Sequence, residues 1–161
     1  MDIIEKIISY FMEGFFMVGA GLGLMGIRLD LKKIVIISII HSLIVYVIRS
    51  FYIQNNIPFG THMFILFICF IILIRFIGKQ RILDSIIAGF ISFLLLLWGE
   101  GVFFFPFLKL FKLDSQTLIF KLGGLLVGIL LSDILLIIGF LIGYVFKFTL
   151  IDFKQFHENK G

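Results

Sequence analysis

IVIISIIHSLIVYVIRSFYI, residues Ile34 to Ile53, is a run of twenty residues with one permanent charge, Arg49. Lipid offers the backbone no hydrogen-bond partners, and a helix needs about 20 apolar residues to cross the hydrocarbon, so the run reads as a membrane-spanning helix. Working outward, the first span is predicted over about Ile7 to Ile27, after a short amphipathic start, MDIIEK. Spans over about Gly60 to Ile77 and Ile82 to Phe105 follow. The last apolar block, Leu118 to Phe146, is too long for one untilted span. A short interfacial helix over Asp114 to Lys121, with Asp114 or Ser115 as N-cap, leaves a fifth span of about Leu122 to Phe146. Splitting the block would leave two pieces each too short, so five spans are favoured over six. The expected fold is an all-α integral membrane protein, a five-helix transmembrane bundle forming one domain (1–147) with a short cytoplasmic tail (148–161).

Bulk composition agrees. The 161 residues are 61% hydrophobic, 17% aromatic and only 15% charged, against about 25% charged in soluble domains. A soluble chain this short has too little interior to hide that apolar content. The single cysteine, Cys69, sits inside FILFICFIILI, so no disulfide framework or thiolate metal site is available. The net charge of +4 comes from bases in short loops between apolar runs, which a membrane explains better than nucleic acid. Met1 leads into an apolar run without a small-residue cleavage site, which argues against a signal peptide. Richness in Ile, Phe, Lys and Asn is compatible with an AT-rich bacterial genome.

Breakers fall between the runs. Asn55 to Gly60 reads as a turn, and Pro106 is expected to close the fourth helix. Orientation follows from Lys and Arg alone. Nine of them (Arg28, Lys32, Lys33, Arg75, Lys79, Arg81, Lys147, Lys154, Lys160) fall on one side, and five (Lys6, Arg49, Lys109, Lys112, Lys121) on the other. The richer side is expected in the cytoplasm, with the N-terminus outside and the C-terminus inside a bacterial cytoplasmic membrane.

An ionisable side chain inside a span costs about 2.5–3.5 kcal/mol on insertion scales and faces a partner or a cavity. Glu13, Arg49, His62 and Glu100 all fall in the outer third of the expected membrane, on four different spans. One reading is an outward-facing polar pocket, with Arg49 countering the carboxylates, that binds a small ligand or the head of a lipid or peptide. The other is an ion pair or charges snorkelling to the interface, with His62 capping its helix. Asp133 and His41 fall near mid-depth, where they form either a proton relay or plain interhelical hydrogen bonds. A metal site at His41, His62 and Glu13 lacks tight ligand spacing.

Glycines supply a second pattern. Gly19 and Gly23, Gly124 and Gly128, and Gly139 and Gly143 are each four apart, a spacing that lets helices approach closely. They pack the bundle or dock a partner subunit. Trp98 and Phe103 to Phe105 read as an interfacial aromatic belt. No P-loop, dinucleotide fingerprint, zinc-protease motif or nucleophile elbow is present. Neither a catalytic centre, a cofactor nor a metal is expected.

One further pattern spans most of the chain. Glu13 lies early in the first span, Gly26-Ile27-Arg28 ends it, Arg49 nears the end of the second, Pro58-Phe59-Gly60-Thr61-His62 opens the third, and Gly99-Glu100 nears the end of the fourth. Over about residues 8 to 146, this resembles the membrane-sensor region of Firmicute sensor histidine kinases of the GHKL ATPase type. In those kinases the fifth helix leads into a dimerisation helix and an ATP-binding domain, whereas this sequence stops about fifteen residues after its last span. The resemblance implies a stand-alone sensor module in signal transduction, not an enzyme, whose output passes through a protein partner. Homo-oligomerisation is compatible with this, and nucleic acid is not expected. Two alternatives stand beside it: a membrane subunit of a small-molecule or ion transporter, with Asp133 and Glu13 along the path, and a structural membrane scaffold.

Overall fold

The computed structural model describes residues 3–57, 60–112 and 124–149, and side chains throughout these except at 124–126. Every regular element among them is helical: α1 (Ile3–Leu24), α2 (Leu31–Gln54), α3 (Thr61–Phe76), α4 (Ile82–Gly99), a π-helical turn π1 (Glu100–Phe104), α5 (Phe105–Leu110), α6 (Gly124–Ser132), α7 (Ile134–Phe140) and a second π turn, π2 (Leu141–Val145). Three helices are long and apolar enough to cross a membrane: Ile3–Leu24, Leu31–Gln54 and the continuous run Ile82–Leu110. Thr61–Phe76 and Ile134–Val145 are shorter apolar helices. The expected interfacial helix at Asp114 to Lys121 and most of the tail lie outside the described residues.

The helix ends have local causes. Gly26 adopts φ +77°, Ile27 N–H donates to the Leu22 carbonyl (2.9 Å), and Gly26 N–H donates to that of Gly23 (2.9 Å). This is a Schellman stop, which a residue without Cβ enters freely. Asn56 (φ 51°) ends α2 the same way, with Ile57 N–H on Tyr52 (3.1 Å) and Asn56 N–H on Ile53 (3.3 Å). The expected helix stop at Pro106 is corrected. The helix runs on to Leu110, because π1 widens the turn so that Phe105 N–H reaches back to the Glu100 carbonyl. Pro106 then sits in the first turn of α5, where its missing N–H costs little.

α1 is the axis of the bundle, packing against α2, α4, α6, α7 and π2. Its most apolar window is 67% buried, against 33% for α2 and 39% for Ile82–Leu110. Met17, Val18, Ala20 and Leu22 of α1, with Met25 just past its end, meet Ile34, Ile37, Phe70, Ile74, Ala88, Leu96 and Leu136 in one core. Small residues set the spacing. A Cβ at Gly23 would lie 2.8 Å from the Tyr144 amide nitrogen and 2.9 Å from the Gly143 carbonyl carbon, so two backbones touch there. Gly19 leaves the seat filled by the Phe140 ring, and Gly139 faces Ala20, Leu24 and Leu95. Gly128 is buried. Ser92 of α4 donates across to the Met17 carbonyl of α1 (2.7 Å), sharing its hydroxyl with Ala88 (2.9 Å).

The distribution of polarity is inverted relative to a water-soluble domain. Ser9, Glu13, Ser38, His41, Ser42, His62, Ser92 and Asp133 are buried, while Val47, Phe51, Phe64, Ile68, Phe90, Trp98 and Phe105 are each more than half exposed. Such an exterior fits an apolar surrounding. At one end of the bundle, Arg28 donates to the Lys147 carbonyl (3.1 Å) and Tyr144 to that of Leu29 (2.9 Å). A Cβ at Gly78 would come within 3.3 Å of Leu29 there, so the basic segments 28–33, 78–81 and 147 gather at one end.

The backbone contact at Gly23 predicts that Gly23→Val lowers the unfolding midpoint in mild detergent by the equivalent of about 1–3 kcal/mol, the usual cost of overpacking. Gly101→Val, at a position with no atom within 4 Å of the added Cβ, leaves the midpoint nearly unchanged. Equal effects of the two substitutions would rule out the close approach.

Candidate functional site

The site is built around one cation. Arg49, in the last two turns of α2, faces Glu13 of α1, with the guanidinium Nη2 4.0 Å from the Glu13 carboxylate. Its Cζ lies 4.8 Å from the centroid of the Tyr10 ring. Tyr10 precedes Glu13 by three residues and therefore shares its helix face. An ion pair at 4.0 Å is long for a hydrogen bond, and the Arg49 Nε has no hydrogen-bond partner. The guanidinium is thus held by the Glu13 charge and by the ring and hydroxyl of Tyr10 rather than by a bidentate fork.

Two further carboxylates converge on the pair. A Cβ at Gly99 would overlap the Ser132 carbonyl oxygen, so the backbones of α4 and α6 touch where α4 passes into π1. The residues that follow, Glu100 and Asp133, are brought to the same region by that contact. Glu100 lies within electrostatic reach of Glu13 and Arg49, and Asp133 of Glu13, Glu100 and Arg49. Asp133 occupies the N-cap position of α7, with φ −86° and ψ 2°, but its side chain caps nothing. It is fully buried, and neither carboxylate oxygen has a hydrogen-bond partner.

The four residues expected in one polar cluster divide. Glu13, Arg49 and Glu100 form its charged centre. His62, buried in the first turn of α3, lies within electrostatic reach of Arg49, but its geometry is local. Its Nδ1 accepts from Gly60 N–H (3.2 Å), and its ring lies 5.6 Å from that of Tyr52. The Tyr52 hydroxyl is the acceptor for Thr61 Oγ1 (3.1 Å), so His62 and Thr61 clasp α3 to the end of α2. Pro58 and Phe59 of the same motif lie outside the described residues.

No hydrogen bond joins His41 to Asp133. Both ring nitrogens of His41 are without a hydrogen-bond partner, as are both Asp133 oxygens. His41 lies against Gly14, where an added Cβ would stand 2.9 Å from Nδ1, and edge-on to Phe70 at 5.3 Å. Asp133 therefore groups with the carboxylates rather than in a hydrogen-bonded link with His41. Among the described residues, no three His, Cys, Asp or Glu side chains are placed to hold a metal ion. Tyr10 and the alliance of Asp133 with Glu100 escaped the sequence. The three-residue step from Tyr10 to Glu13 was a usable signal for the first, whereas nothing in the spacing announced the second.

Exposure grades across the cluster. Glu13, Tyr10 and Asp133 are buried, while the Arg49 side chain is 24% exposed and Glu100 is half-buried. The open edge thus lies at Arg49 and Glu100. No family model matches the chain, and comparison with curated proteins and with solved structures returns no match.

Removing one member of a buried ion pair strands its partner, at about 3–5 kcal/mol. Arg49→Met is accordingly expected to destabilise strongly. Glu13→Gln combined with it should cost less than the two single effects summed, with a coupling of about 0.5–3 kcal/mol. A double-mutant cycle on unfolding in detergent measures this, and strict additivity would show the pair to be incidental.

Proposed function

We propose that the chain is a polytopic membrane sensor or binding module of a bacterial cytoplasmic membrane, with the Arg49 cluster as its ligand or signal site and a protein partner as its output. The observation that carries this is the convergence of Glu13, Arg49, Glu100 and Asp133, from four stretches of sequence, on one region of an apolar bundle. Charge inside an apolar bundle is expensive, and clusters of it mark function more often than they aid stability. The described spans, the inverted polarity and the basic end of the bundle support the membrane reading. The resemblance to the sensor regions of GHKL-type kinases supports the output through a partner.

The mechanism follows from where the cluster sits. Its members ride on α1, α2, the α4–π1 junction and the α6–α7 junction, so an occupant that draws them together or apart acts on the packing of those helices. A ligand shifts that packing only by binding one arrangement more tightly than the other. The glycine contacts between α1 and π2 transmit the change, because two touching backbones move as a unit. In the five-span topology of this reading, the cluster lies toward the outer leaflet and the basic end in the cytoplasm.

A second reading, a subunit of a small-molecule or ion transporter, is favoured by one feature: Asp133, a fully buried carboxyl at the α6–α7 junction, since ionisable groups inside a membrane bundle mark substrate and ion paths. On that reading Asp133→Asn abolishes flux into proteoliposomes. On the sensor reading no flux exists to abolish.

Two measurements test the leading reading. Tagged chain is purified in gentle detergent and co-purifying proteins are identified. The expected result is a signalling or membrane partner whose recovery changes in Arg49→Lys, which keeps the charge that Glu13 needs, with insertion and the unfolding midpoint retained. Purification as a homo-oligomer alone would overturn the partner-dependent mechanism. For orientation, with Cys69 replaced by Ser, Asn56→Cys is expected to react with a membrane-impermeant maleimide on intact cells, and Lys79→Cys only after permeabilisation. The reverse pattern would invert the topology.

A further inference from the structure

The cluster holds three carboxyl groups against one guanidinium. With all of them ionised it carries an excess of two negative charges. Arg49 is committed to Glu13 at 4.0 Å and to the Tyr10 face at 4.8 Å. Asp133, in the same field, has no hydrogen-bond donor on either oxygen although it is fully buried. A buried carboxyl with empty acceptor sites is costly unless something supplies donors.

The backbone does not supply them. Asp133 is placed where an Asp side chain ordinarily bonds the free amides of the following helix turn, yet its own N–H is spent on the Ile129 carbonyl (2.8 Å) and its oxygens reach no amide. Neighbouring hydroxyls do not supply them either. The Ser132 hydroxyl donates to the Ile129 carbonyl (2.9 Å) and that of Ser92 to Met17. Among the described residues, no amide or side chain donates to these two oxygens.

Resting on the binding-module reading, we infer that the cluster is a receptor for a small organic cation bearing N–H donors, a primary ammonium group, with Asp133 as its innermost acceptor and Glu100 at its entrance. An ammonium brings one positive charge and three donors, which matches acceptors in excess of donors. An anion meets three carboxylates and is turned away. A quaternary ammonium brings charge without donors and leaves the Asp133 oxygens as they are. The Tyr10 face is occupied by Arg49, so the selectivity of the site comes from hydrogen bonds rather than from an aromatic cage. The part-exposed Arg49 and half-buried Glu100 form the rim, and the Glu100 charge offsets the repulsion an incoming cation meets from the guanidinium.

The test uses the full chain in an uncharged detergent at constant ionic strength, with n-butylammonium, tetramethylammonium and butyrate as probes and thermal unfolding as the readout. The expected result is a saturable upward shift with n-butylammonium and none with the other two. Asp133→Asn, which keeps the shape and loses the charge, should weaken the apparent affinity about tenfold or more, as befits the loss of a charge-assisted hydrogen bond. Glu100→Gln, at the rim, should weaken it less, and supplies the measurement if Asp133→Asn fails to fold. The inference is overturned by no shift with n-butylammonium, by an equal shift with tetramethylammonium, by a shift with butyrate alone, or by an n-butylammonium response unchanged in both variants. Such a failure, with partner recovery still dependent on Arg49, would remove the ligand class and leave the module reading standing. Loss of both would remove the site altogether.

Discussion

The Arg49 guanidinium lies 4.0 Å from the Glu13 carboxylate and 4.8 Å from the centroid of the Tyr10 ring, in a bundle whose described helices turn many large apolar side chains outward. Nothing else among the described residues puts a full positive charge into the heart of the bundle. In a medium of low dielectric that charge cannot be left alone, and three carboxyls from three other parts of the chain stand in its field. The packing of the bundle brings them there: α1 at the centre carries Glu13, and the backbone contact of Gly99 with Ser132 sets Glu100 and Asp133 in the same region.

The helical class and the positions of the first helices were legible from apolar run lengths. α2 and α3 fall within about three residues of the runs Ile34 to Ile53 and Gly60 to Ile77. α1 begins earlier than its run implies, at Ile3 rather than Ile7, because Ile3 to Lys6 form the first turn of the same helix.

The features that were not legible are the departures from α geometry. Pro106 looked like a terminus, but a five-residue π turn before it removes the demand for the missing amide. The interruption at Asp133 has no proline or glycine beside it to announce it. Both π turns lie in helices that border the cluster or its glycine contacts, where such turns commonly re-aim side chains. Glycine spacing identified the close-packing residues, but only the coordinates pair Gly23 with Gly143 and Gly99 with Ser132.

The contact between Gly23 and Gly143 joins places 120 positions apart in the chain. At ribosomal rates of about 5–20 residues per second, the first helix waits several seconds before its closest neighbour has even been made. Through the early part of that interval Arg49, delivered with the second helix, is the one countercharge Glu13 has, and one flank of α1 remains open to lipid or to the insertion machinery. Biogenesis is thereby ordered in time. The first two helices are suited to settle as a hairpin, and the last closes the bundle like a keystone, so a chain cut short before it would leave its glycine-lined flank bare.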